Sequence, residues 1–159
     1  MVEDYDFSGY ATRNDLTCGD GRVIRKNAFK SQDGQKVPLI WNHEHNNPEA
    51  VLGHAILENR DDGVYAYCKF NDTENGKLCH ELVNNGDVRS LSIWANQLKQ
   101  MGSDVVHGVI RELSLVLAGA NPGAYIDFVL AHSDEETDSL YANYDESLLV
   151  ISHGCKKDT

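Results

Sequence analysis

The chain predicts a mainly β fold: a small antiparallel β-barrel with one or two helices and an acidic C-terminal tail. Three observations carry that expectation. Short runs of alternating apolar and polar residues recur from Tyr5 to Phe128, turn signals rich in glycine and aspartate separate them, and helical spacing is clear in one segment only. At 159 residues the chain fits one compact domain, and no internal repeat or low-complexity segment divides it. We place the barrel domain at residues 1–131 and the tail at 132–159.

Tyr5 to Thr12 reads as a first strand interrupted by Gly9, and Cys18-Gly19-Asp20-Gly21 as a turn. Val23 to Phe29 fits a short strand or a helical turn equally well. After the turn at 31–34, Val37-Pro38-Leu39-Ile40-Trp41-Asn42-His43 is an apolar run whose proline suits a strand start or a sheet edge. Val51 to Glu58 and Val64 to Phe70 form a hairpin about Asp61-Asp62-Gly63. The pattern then breaks. Thr73 is an N-cap, Leu78, Leu82 and Val83 recur at helical spacing, and Gly86 stands where a C-terminal cap belongs, which predicts a helix over 73–85. Residues 88–98 and 105–117 are two strands joined around Met101-Gly102-Ser103-Asp104. In the first, Leu91, Ile93 and Ala95 face one way and Ser90, Ser92 and Trp94 the other; in the second, Leu113, Leu115 and Leu117 face the core, opposite Glu112, Ser114 and Val116. From His132 onward acidic residues crowd a stretch with few core candidates, which reads as a mobile or weakly helical tail.

The net charge of −11 sets a field that repels phosphate backbones and anionic lipid, so neither nucleic acid nor a membrane is expected as a partner. The chain has no apolar run of about 18 residues, and its polar opening from Met1 to Asp6 is no signal-peptide core. The expectation is a soluble, intracellular protein. Cysteines at 18, 68, 79 and 155 lack Cys-x-x-Cys spacing and read as reduced thiols, and no cofactor is expected.

If the second hairpin turns about Gly102, Ser92 falls opposite Glu112, with the two Cβ atoms about 5 Å apart on one face. A serine hydroxyl becomes a nucleophile only when a base takes its proton, and that base needs a third group to orient it. Glu112 fits that third role with an imidazole between. The competing reading is a solvated Ser/Glu pair on an open sheet face. His43 projects from the end of an apolar strand, a suitable place for a general base, although its polar neighbours also fit a plain surface histidine. His43, His45 and His54 raise a zinc site, but no cysteine or carboxylate pattern of metal-site spacing accompanies them, and no metal is expected. Cys79 and His80 are adjacent on the predicted helix, point about 100° apart and make no dyad. The loop Gly119-Ala120-Asn121-Pro122-Gly123 lacks the lysine and Ser/Thr of a phosphate loop.

Three blocks, in order, resemble the prohead proteases of tailed bacteriophages, whose barrel is similar to that of the herpesvirus assemblins. They are Pro38-Leu39-Ile40-Trp41-Asn42-His43 followed by Leu52-Gly53; Leu91-Ser92-Ile93; and Ile110-Arg111-Glu112-Leu113-Ser114-Leu115-Val116 with Ala120-Asn121-Pro122-Gly123-Ala124. The likeness spans roughly residues 5–128. It implies Ser92 as nucleophile, His43 as general base and Glu112 as orienting acid. His107 is the rival for the third role, because assemblins use a second histidine there. Trp94 departs from the glycine that the family commonly has two positions after the serine, which narrows the substrate groove or alters the oxyanion hole. The oxyanion donors are expected among backbone N–H groups near the serine or in the loop at 118–122. The implied function is a serine endopeptidase that matures a viral procapsid in the host cytoplasm, inside the assembling shell. Its substrates would be scaffold and/or the scaffold-like arm of the major capsid protein, and often the protease itself; analogy with assemblins adds a homodimer. Two other classes remain: a catalytically silent barrel that assembles with capsid or scaffold, and a metal-assisted hydrolase using His43, His45 and His54.

Overall fold

The computed structural model describes residues 4–130, so the acidic tail expected at 132–159 and Cys155 lie outside the described residues. The elements follow in the order β1 (Phe7–Arg13), β2 (Val23–Ile24), β3 (Lys36–Trp41), β4 (Val51–Arg60), β5 (Gly63–Phe70), α1 (Glu74–Asn84), β6 (Ser90–Met101), β7 (Asp104–Val116) and β8 (Ile126–Val129). The mainly β architecture with one helix is the one the alternation predicts. Val23 to Phe29 resolves into the two-residue strand β2 and a following turn.

The sheet runs β2-β7-β3-β4-β5-β1-β8, with β6 also on β7. Most neighbours are antiparallel. Two are not: β2 and β3 both run parallel to β7, pairing Val23 with Asp104 and Leu39 with Leu113. The reason is length. With β6 along one edge of the 13-residue β7, its other edge is shared between β2 near the start and β3 near the end. The sheet is not closed by a continuous ladder. At the seam, Leu91 N–H donates to Ala124 O and Ile126 N–H to Arg89 O, alongside a single bridge between Ser90 and Tyr125.

Side chains from every wall fill the interior: Phe7, Leu39, Leu52, Leu57, Leu91, Ile110, Leu113, Leu115 and Ile126 are all buried. Each contributes about 1.5–3 kcal/mol by leaving water. Leu117 does not join them; it is 75% exposed, because the β7 ladder ends at Val116 and the chain leaves the sheet before alternation can turn Leu117 inward. The last five residues of β7, Glu112 to Val116, are buried on both faces, which strict alternation does not anticipate.

Helix α1 begins as expected, with Thr73 Oγ1 accepting from Gly76 N–H at 3.1 Å, and is followed by Gly86 at φ 79°. Its buried side is Gly76, Cys79 and Val83, with Leu82 partly covered, while Leu78 points outward at 52% exposure. Gly53 lies where β4 crosses β5 so closely that a Cβ there would stand 1.9 Å from Lys69 O.

Candidate active site

Three segments converge on one patch of the sheet: β6 carries Ser92, β7 carries Glu112 and Ser114, and the turn after β3 carries His43 and His45. The β6–β7 hairpin holds the expected residues together in a different register. Ser92 stands opposite Ser114, and Glu112 opposite Trp94, two residues from the expected pairing. The turn leaves Met101 opposite Asp104, and irregularities along the β6–β7 pairing, the last of them between Ala95 and Trp94, shift the register before the site. A shift of two keeps each side chain on its own face, so Ser92 and Glu112 still share one.

His43 is not the last residue of a strand. β3 stops at Trp41, and Asn42 and His43 both take left-handed conformations, φ 49° and 57°, in a turn closed by Glu44 N–H donating to Trp41 O at 3.1 Å. Asn and His tolerate that region better than most residues. The turn is tied to β7: Asn42 N–H donates to Leu115 O at 3.0 Å and His43 N–H to Ser114 Oγ at 2.9 Å.

The His43 ring then bridges two partners. Nδ1 lies 2.6 Å from Glu112 Oε1, and Nε2 lies 2.9 Å from Ser92 Oγ. A carboxylate only accepts, so Nδ1 carries the proton and Nε2 is left with a lone pair for the Ser92 hydroxyl. An imidazole set between a hydroxyl and a carboxylate in this way can take the hydroxyl proton as the oxygen attacks an acyl group. Glu112 is 4% exposed, and its charge is met by three donors: His43, His45 Nδ1 on Oε2, and Ser114 Oγ–H at 3.3 Å from Oε1.

Ser114 and His45 are the residues whose part here sequence reasoning missed. Ser114 shares the Glu112 face by simple alternation, and His45 sits two positions after His43; both signals were present without a reason to read them together. The rival His107 stands opposite Lys99, nearer the hairpin turn, and His54 lies on β4 opposite Pro38 and Lys69. His43 and His45 turn their Nδ1 atoms onto Glu112, and among the described residues no group of three His, Cys, Asp or Glu side chains is placed to hold a metal ion. Cys79 is buried in α1, where burial pushes its thiol up, and the neighbouring His80 stacks on Phe70.

A cavity of about 220 Å³ opens beside Ser92. Ile24, Phe29 and Leu98 give it apolar walls, the Asp20–Arg22 ion pair lines another side, and Ala120 and Asn121 bring the 118–122 loop to it. The Arg22 hydrogen bond holds the Asp20 carboxyl below the usual carboxylate range. Asn121 pins that loop to β1 by donating to Arg13 O at 2.8 Å and Thr12 Oγ1 at 3.0 Å, while its Oδ1 accepts from Gly123 N–H at 2.9 Å.

Residues 2–139 match the caudovirus prohead serine protease family. The chain belongs to that family. It is therefore a serine protease of capsid maturation, acting on capsid-related proteins within the phage prohead, and the readings as a silent barrel or a metal-assisted hydrolase are set aside. The fold is similar to that of the Kaposi's sarcoma-associated herpesvirus protease. A structure of that protease in complex with a hexapeptide phosphonate inhibitor aligns with TM-score 0.56 at 13% identity, over 96% of this chain and 76% of that one. A second structure of the same protease aligns with TM-score 0.52 at 14% identity, over 96% and 74%. No curated protein matches the chain.

Proposed function

We propose that this prohead protease cleaves peptide bonds through Ser92, with His43 as general base and Glu112 as the group that orients and stabilises the imidazole. The observation that carries the reading is the His43 ring spanning Ser92 Oγ and Glu112 Oε1 at 2.9 and 2.6 Å. In the first step Ser92 Oγ attacks the scissile carbonyl carbon as His43 Nε2 takes the hydroxyl proton. The C–N bond then breaks, and His43 returns that proton to the departing amine. In the second step water attacks the acyl-Ser92 ester while His43 takes a water proton, the ester C–O bond breaks, and Ser92 regains its proton. We assign the oxyanion's donors to backbone N–H groups near Ser92 or in the 118–122 loop, whose Ala120 and Asn121 border the same cavity as Ser92.

The substrates we assign are scaffold, the scaffold-like arm of the major capsid protein, and the protease itself, cleaved inside the assembling procapsid in the host cytoplasm, with the enzyme acting as a homodimer. Removing scaffold empties the shell for the genome. The test is a serine-directed phosphonate probe followed by peptide mass spectrometry. Ser92 should carry the adduct, a His43→Ala variant should lose it, and Ser92→Ala should abolish prohead processing while leaving the fold intact. Normal processing by Ser92→Ala removes Ser92 from this role.

A further inference from the structure

Glu112 has two carboxylate oxygens, and His43 engages only one. The carboxylate is 4% exposed, so bulk water does little for the second oxygen, and a buried carboxylate oxygen without a donor is unfavourable. His45 Nδ1 meets it. The His45 ring is held in turn: its centroid lies 4.6 Å from that of Trp94 at 49° between planes, and Trp94 is the β6 residue directly opposite Glu112. Its backbone is held as well, because His45 N–H donates to His43 O at 2.9 Å within the same tight turn. The side chain remains 39% exposed, so it contributes little to the core.

We propose that His45 is a positioning residue of the proteolytic site, donating from Nδ1 to the Glu112 oxygen that His43 leaves free and so fixing the carboxylate against the His43 ring. This rests on the reading of Ser92, His43 and Glu112 as the catalytic set. With both oxygens engaged by imidazole N–H groups that approach from one turn, the carboxylate plane is fixed on two points and Glu112 cannot rotate away from His43. Trp94 is the brace behind His45, which gives its bulk a positioning role beside the nucleophile. Loss of the second donor frees the carboxylate to swing, and His43 then spends less time aimed at Ser92 Oγ. Small misplacements of a reacting group are costly, of the order of 100-fold for about 1 Å.

The experiment is the saturable labelling of Ser92 by a phosphonate probe in the full chain, resolved into a maximal rate and a half-saturating concentration, with thermal melting as a check on folding. His45→Ala should lower the maximal rate by about 10- to 100-fold and leave half-saturation within about twofold, because the group acts through geometry and not through probe contact. His45→Asn should recover most of the rate, since its amide nitrogen hangs from Cγ in the place of Nδ1 and donates the same bond. Proton NMR adds a spectroscopic readout: the deshielded His43 Nδ1–H resonance should weaken in His45→Ala and return in His45→Asn. A folded His45→Ala that labels at the wild-type rate overturns the proposal, as does a His45→Asn no faster than His45→Ala. Wild-type protein that is labelled elsewhere than Ser92 brings down the catalytic reading itself and this proposal with it.

Discussion

Replacing Glu112 by glutamine isolates what the buried charge contributes. The amide can still present an oxygen to His43 Nδ1, and its NH2 can face His45, which adopts its other tautomer at little expense. What disappears is the negative charge 2.6 Å from the ring nitrogen that becomes part of an imidazolium as Ser92 attacks. Taking the charge centres as about 4 Å apart and an effective dielectric of about 20, the lost attraction is about 4 kcal/mol. The His43 side chain is 31% exposed, and discounting for solvent screening brings this to about 2–4 kcal/mol. At about 1.4 kcal/mol per tenfold, Glu112→Gln should slow acylation by roughly 30- to 1,000-fold. The assay is the rate of Ser92 labelling by the phosphonate probe, read beside a melting curve for each variant. A folded Glu112→Gln protein that acylates within about threefold of wild type would falsify the assignment, because no imidazolium beside this carboxylate could then matter to the barrier.

Gly53→Ala should destabilise the barrel by about 1–3 kcal/mol or more, because its Cβ would meet the Lys69 carbonyl oxygen and backbone cannot step aside as a side chain can; a urea midpoint equal to wild type would contradict that close approach. Thr73→Ala should cost about 1 kcal/mol by removing the oxygen that accepts from Gly76 N–H, measured by the same denaturation. Tyr65 makes a pH prediction. Burial, and then its hydrogen bond to Asp127, raise the phenol above its ordinary value, so the folded protein keeps a proton that the unfolded chain releases near about pH 10. That stability is fully present below about pH 10 and is lost as pH climbs toward the folded value, so Tyr65→Phe should show a shallower alkaline decline; an unchanged slope would show that Tyr65 is not the group responsible. If the protease trims itself, intact mass of the incubated chain should fall with time in wild type and stay constant in Ser92→Ala.

Much of this protein is written locally. Period-two alternation depends only on neighbouring residues, which is why β4, β5 and the β6–β7 hairpin are legible, and Thr73 and Gly86 bracket α1 through bonds that reach three or four residues. The face shared by Ser92 and Glu112 is legible for the same reason: a two-residue register shift moves partners without turning side chains over. Other features depend on contacts distant in the chain. The parallel docking of β2 and β3 follows from how one edge of β7 is divided, and no residue in β3 encodes that by itself. His43 reads as a strand end because apolar alternation runs up to it, whereas its left-handed turn is fixed by bonds to Ser114 and Leu115, some seventy positions away. Leu117 reads as core by parity and lies in water because the ladder ends one residue earlier. His45 shows the division most clearly. Sequence makes it a histidine two positions from another, a spacing that suggests a metal; only the fold, by burying Glu112 beneath both rings and setting Trp94 beside one of them, makes the carboxylate their common partner. Sequence supplied the chemical groups and their local faces, and the tertiary structure decided which of them meet, because a hydrogen bond between residues so far apart exists only once the sheet has brought their strands together.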